Sequence, residues 1–183
     1  MIVEKQDAEE RRGRACLLLL HTKWGLFPIA ILVFSLTFIL SSVMPVERDL
    51  AEEITTSIKE QLNLSVLDVF MNNLALSLIM MMPVFGFIFS VFSSSLNGMT
   101  VSAISTVTGS NPLHIAISLL SSPEGMFEVL AFGLASAQSL AGFFAIVEKR
   151  LRKELREYLT TIGIVVGLLA MAVLFEAFQA TPS

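Results

Sequence analysis

Eight polar residues interrupt otherwise apolar stretches of this sequence: Asn72, Asn73, Asn97, His114, Glu124, Glu128, Gln138 and Glu176. Such groups are costly in apolar surroundings, and where they occur they usually face a bundle interior or a wet cavity. Glu128 is the sharpest. At helical spacing it shares a face with Ala131, Ala135, Gln138 and Gly142, while Phe127, Leu130, Leu134 and Phe144 point elsewhere. A small, polar face lets a second helix approach closely and hydrogen-bond across the gap. Two roles stay open for Glu128: an architectural carboxyl in a packing face, or a proton-linked or substrate-contacting carboxylate. Glu124 stands four residues earlier, so both carboxylates can lie on one helix face, where they could share a proton or hold a cation. Glu124 also follows Pro123 at a helix start, where an acid simply complements the helix dipole.

The remaining polar groups are less pointed. His114 near two glutamates invites a metal reading, but the set lacks the HExxH spacing of a ligand helix, so no metal and no cofactor is expected. No nucleophile elbow, P-loop or paired-cysteine motif occurs. An intramembrane hydrolase needs an oriented base beside a nucleophile or metal, and His114 with Glu124 or Glu128 is the only candidate set. The expectation is a protein that is not an enzyme, with no catalytic residue. Asn72 and Asn73 are about 100° apart on a helix, so at most one points fully at a given neighbour. Asn97-Gly98 reads as a tight cytoplasmic turn. Gly163 and Gly167, extended by Ala170, form a GxxxG pair that suits packing within the fold or pairing of two chains into a homo-oligomer.

The elements carrying these residues follow from composition. Of 183 residues, 54% are hydrophobic and 15% charged, with a mean hydropathy of +0.75. The charged share falls below the roughly 25% of soluble domains, and disorder is excluded by the hydrophobicity. The net charge of -4 offers no footprint for nucleic acid, and Cys16, the sole cysteine, excludes an intramolecular disulfide. The class is an all-α, polytopic helical membrane protein whose first partner is the lipid bilayer.

Residues 1–23 read as a cytoplasmic juxtamembrane segment, and 24–183 as a single helical membrane domain. Trp24 to Val43 carries no charge and is long enough to span the bilayer. In the acidic stretch 47–65, Leu50, Ile54, Ile58 and Leu62 recur every four residues as in an amphipathic helix, either lying on the rest of this protein or docking a partner. The second span is Leu67 to Ser95, with Pro83 able to kink it. Gly98 to Ser122 is apolar but broken by Gly109, Ser110, Asn111, Pro112 and His114. Gly125 to Val147 and Tyr158 to Phe178 complete the set. Ten of the twelve lysines and arginines lie before Trp24 or after Val147, so both blocks belong in the cytoplasm. That rule requires about five crossings, N-terminus in and C-terminus out. The third crossing, Gly98 to Ser122, is expected to be two half-helices broken near Gly109 to Pro112, buried rather than lipid-facing.

Beyond composition, Phe70-Met-Asn72-Asn73, Phe85-Gly86, Asn97-Gly98 and Pro123-Glu-Gly125-Met-Phe-Glu128, followed by Ala131, appear in an order that resembles the stage II sporulation protein M family over roughly residues 67 to 145. Members carry an FxxN or FxxNN start, an NG pair and a PHGxxE-type motif. The motif histidine is replaced here by Glu124, which puts any role of that histidine in doubt. The resemblance implies a polytopic membrane protein without catalysis of its own; the namesake looks like a scaffold that recruits cell-wall hydrolases during engulfment, and some relatives resemble permease subunits working with ATPases. The functional expectation is a membrane scaffold or assembly subunit recruiting other membrane or envelope proteins. The alternative is a permease-like subunit of an exporter driven by a cytoplasmic ATPase, bound through Asn97-Gly98 or Arg150 to Arg156.

Overall fold

The computed structural model describes residues 22–61, 65–149 and 151–180. Within them the chain forms seven helices: α1 (Lys23–Ser42), α2 (Arg48–Gln61), α3 (Val66–Met80), α4 (Phe85–Thr108), α5 (Pro112–Ser121), α6 (Pro123–Val147) and α7 (Leu151–Ala180). Most of the expected juxtamembrane segment, and Leu62 of the amphipathic stripe, lie outside the described residues. Four stretches of 20, 24, 25 and 25 residues are long and apolar enough to cross a membrane: α1, α4, α6 and Glu154–Phe178 of α7.

Side-chain pairings fix the helix directions. Phe34 packs on Phe132 with ring centroids 5.6 Å apart, and Leu26 and Ala30 meet Ala137 and Ala141, so α1 and α6 are antiparallel. Ser94 Oγ donates to the Phe34 carbonyl at 2.6 Å, the Ser41 and Ser95 hydroxyls lie 2.9 Å apart, and Ser102 Oγ donates to the Met44 carbonyl; α4 therefore runs parallel to α1. Asn73 pairs with Glu128, and the Met82 carbonyl with Ser139, which sets α3 parallel to α6. Phe127 stacks on Phe175 at 5.6 Å and Gln138 meets Thr161, which sets α7 antiparallel to α6. The chain thus alternates direction through α1, α3, α4, α6 and α7, in keeping with about five passes. At 15 residues, α3 is only about 22 Å long, short of the hydrocarbon thickness of about 30 Å.

Two expected boundaries are corrected. The second span does not run from Leu67 to Ser95: it ends at Met80, and the chain reverses over Met81–Val84 before α4 begins. Pro83 lacks the N–H that would continue the helix. Val84 takes φ 72° and ψ −56°, and Phe85 N donates to the Pro83 carbonyl at 2.9 Å. This is a γ-turn of the rare, strained hand, forced on a β-branched residue. The freed backbone groups find partners on other helices. Ser139 Oγ donates to the Met82 carbonyl at 2.7 Å and accepts from Phe87 N at 3.1 Å, and Tyr158 donates to the Met81 carbonyl at 2.8 Å. Backbone irregularity among apolar helices is tolerated on that condition.

Asn97-Gly98 is therefore not a cytoplasmic turn. It lies inside α4, and the third pass is the continuous helix Phe85–Thr108 rather than a broken Gly98 to Ser122. The break near Gly109 to Pro112 does exist, but it follows α4: Gly109 closes the helix at φ +70°, and Asn111 caps α5 by accepting from the backbone N–H of Leu113 and His114.

The centre of the bundle is α6, buried at every residue from Ala131 to Ser139. Its alanines, glycines and serines let neighbours approach from all sides. Beyond the end of α1, α2 lies against α4 with Ala51 fully buried, and Ala116 of α5 packs with Phe38 and Val101.

Candidate functional site

The polar residues singled out from sequence come together in two places. The first is a groove of about 280 Å³ where α1, α3, α4, α5 and α6 meet. Asn72, Asn73, Asn97, Ser122, Glu124, Gly125 and Glu128 line it, against Phe34, Phe38, Phe132 and aliphatic residues of α3, α5 and α6. Asn73 Nδ2 donates to Glu128 Oε1 at 2.6 Å, which orients the carboxylate. Asn72, its neighbour on α3, is exposed at the rim, as is Asn97. Three segments far apart in sequence thus supply the polar wall.

Backbone contacts shape this groove. The Ser122 hydroxyl accepts from Gly125 N at 3.2 Å and donates to the Leu119 carbonyl at 2.8 Å, folding the end of α5 over the start of α6. A Cβ on Gly125 would lie 2.0 Å from the Leu119 carbonyl oxygen, so a larger residue would pry the joint open. Pro123 occupies the first turn of α6, where its missing N–H is harmless. Gly98 does a similar service on α4: a Cβ there would sit 2.4 Å from the Phe38 carbonyl oxygen, which is what brings α4 against α1. Gly86 lies under the Met80 carbonyl and Ser139, at the α3–α4 reversal.

His114 does not join this set. It is exposed on α5 and absent from the groove lining, so the combination of His114 with Glu124 or Glu128 is not assembled. Among the described residues no three histidines, cysteines or acids cluster as a metal site. Glu176 is exposed near the end of α7.

The second place is a buried chain of polar groups at the other end of α6. Gln138 is fully buried; its Nε2 donates to Glu154 Oε1 at 2.5 Å and its Oε1 accepts from Thr161 Oγ1 at 2.7 Å. Lys23, 4% exposed, donates to Thr161 Oγ1 at 2.9 Å and pairs with Glu157 Oε2 at 2.8 Å. Sequence reasoning counted Lys23 only as one of the basic residues setting topology and passed over Thr161, Glu154 and Glu157. The one available signal was that Lys23 and Glu157 each adjoin the start of a span. Beside this chain Gly142 packs under the Tyr158 hydroxyl, while Ala131 and Ala135 are buried in the α6 core.

The other proposed surfaces are placed as follows. On α2, Leu50 is exposed while Ile54 and Ile58 are half-buried. Gly163 and Gly167 are exposed on α7, with nothing within 4 Å of an added Cβ; the pair does not pack within the described fold.

Apolar helices of spanning length around a polar groove define an all-helical membrane protein. The chain matches the family model described as SpoIIM, Stage II sporulation protein M, over residues 25–181, and it belongs to that family. The match includes every residue that carried the sequence resemblance. Comparison with curated proteins found no match, and neither did comparison with solved structures.

Proposed function

We propose that this chain is a non-enzymatic, multi-pass membrane assembly subunit that holds partner proteins at the membrane, with its N-terminus in the cytoplasm and its C-terminus outside. The observation that carries this reading is the fixed position of α2. Ala51 is buried and the helix rests on α4. Its outward side presents Asp49, Glu52 and Glu53, with Glu47 exposed just before it and Arg48 bound to Glu52 at 3.1 Å. A helix held rigidly beyond the end of α1 offers an acidic surface at little ordering cost, and it suits a partner with a basic face. Leu50 is the apolar contact on that surface. The test is gentle detergent extraction and mass spectrometry of everything retained, comparing the wild type with the double substitution Glu52→Lys and Glu53→Lys. Loss of a stoichiometric envelope or membrane protein, with the chain still folded, is the expected result. An unchanged set of companions would remove α2 as the docking surface.

The groove favours a second reading, a permease-like subunit served by a cytoplasmic ATPase. Gly98 packs against Phe38 and Ser41, and Asn97-Gly98 lies inside α4 rather than in a cytoplasmic turn; this reading therefore places the ATPase contact on the basic stretch 150–156. A stoichiometric ATPase in the same extract would move the assignment to this reading.

A further inference from the structure

The groove beside Glu128 has a composition that selects its occupant. Among the described residues its polar wall holds two carboxylates, Glu124 and Glu128, and three carboxamides, Asn72, Asn73 and Asn97, and no described lysine, arginine or histidine lines it. Its floor is aromatic. Phe34, Phe38 and Phe132 are buried there, and the Phe34 and Phe132 rings lie 5.6 Å apart, tilted by 36°. Aromatic faces attract cations through the ring quadrupole, and carboxylates attract them more strongly away from bulk water. Carboxamide oxygens accept the remaining N–H bonds. Asn73 occupies Glu128 Oε1 at 2.6 Å and thereby holds Oε2 in place for a ligand.

Size and depth narrow the choice. A volume of about 280 Å³ is at the small end of ligand pockets, which span roughly 300–1,000 Å³, so the groove takes a headgroup rather than a whole lipid. Phe38 is four residues from the end of α1, about 6 Å along its axis, so the groove opens near one end of a spanning helix rather than at its middle. Leu76, Leu119, Leu120 and Val129 line the same groove and suit an alkyl tail. We propose that this groove binds the ammonium head of an amphiphilic amine, carried either by a membrane lipid or by a free long-chain amine.

The test uses the full-length protein in maltoside detergent, with dodecylammonium as the probe and dodecanol and dodecanoate as the neutral and anionic controls. Ligand binding to the folded state raises the unfolding midpoint. The expected result is stabilisation by dodecylammonium alone, with affinity at least tenfold weaker in Glu128→Gln, which keeps an oxygen to accept from Asn73. Asn97→Leu, at the exposed rim, is expected to weaken binding several-fold without disturbing the fold, and it decides the matter if Glu128→Gln does not fold. A parallel arm places the protein in nanodiscs of phosphatidylglycerol with or without phosphatidylethanolamine. Retention of phosphatidylethanolamine after detergent extraction identifies a lipid source, and binding of the soluble amine without such retention identifies a free amine. Equal stabilisation by dodecanol, unchanged binding in both variants, or no response to either amine overturns the proposal. So does a Glu128→Gln protein that sheds a bound polypeptide while neither amine binds, because the groove would then receive a protein side chain.

Discussion

The close approach of α4 to the α1 backbone at Gly98 makes a sharp test of how this bundle is held. At Gly98 an added Cβ would lie 2.4 Å from the Phe38 carbonyl oxygen, 2.7 Å from Ser41 Cβ and 3.0 Å from Ser42 N. The nearest obstacle is backbone, which cannot rotate away as a side-chain end would. Gly98→Ala must therefore move α1 and α4 apart by about 0.5–1 Å, a gap that forfeits a quarter to a half of each affected dispersion contact. The same movement stretches the bonds of Ser94 to the Phe34 carbonyl and of Ser102 to the Met44 carbonyl. Overpacking of this kind costs about 1–3 kcal/mol. Alanine's helix propensity returns about 1 kcal/mol, so the net expectation is destabilisation by up to about 2 kcal/mol. For a chain of this size that lowers the thermal midpoint by up to roughly 8 °C. The matched control is the same substitution at Gly163 or Gly167, where nothing lies within 4 Å and only the propensity term acts. Thermal unfolding in dilute detergent should rank Gly98→Ala below wild type and Gly163→Ala at or above it. A Gly98→Ala protein that melts with or above the Gly163→Ala protein would refute the claim that this contact sets the α1–α4 spacing.

Three further outcomes follow from the geometry. Ser139→Ala removes the partner of both the Met82 carbonyl and Phe87 N and should cost about 1–3 kcal/mol in the same melt; Ser136→Ala, whose hydroxyl bonds only within its own helix to the Phe132 carbonyl, should cost clearly less. Lys23→Met keeps the stem but removes the cation from Thr161 and Glu157; since the Glu157 side chain is 43% exposed and can rehydrate, the loss should be nearer about 1 kcal/mol than the 3–5 kcal/mol of a fully buried pair, and a larger drop in midpoint would mean that the charge itself holds α1 to α7. In a Cys16→Ser background, a membrane-impermeant maleimide should label Ser57→Cys in intact cells and Lys149→Cys only after permeabilisation; the reverse pattern would invert the proposed orientation.

The helical, apolar character of the spans was legible in the sequence because each is a long apolar run with at most one acidic residue, and the motif residues were legible because polar groups stand out against such a background. Their convergence was not. Asn72, Asn73, Asn97, Glu124 and Glu128 lie on three helices, and only the parallel course of α3 and α6 and the seating of α4 on α1 bring them to one groove. The two misplaced boundaries share one physical cause. Rules for turns learned from water-exposed chains look for polar residues that can satisfy a broken backbone locally, so Asn97-Gly98 looked like a turn and Met81-Met82-Pro83-Val84 did not. Within this bundle the carbonyls freed at the true reversal are satisfied by Ser139 and Tyr158, 57 and 77 residues further along the chain. The turn itself can therefore stay apolar, and Gly98 is released to serve as the point where two helices touch. The hydropathy of a segment like Leu67 to Ser95 records only that it is buried in apolar surroundings; where it reverses is written in the hydroxyls of helices not yet reached in the sequence.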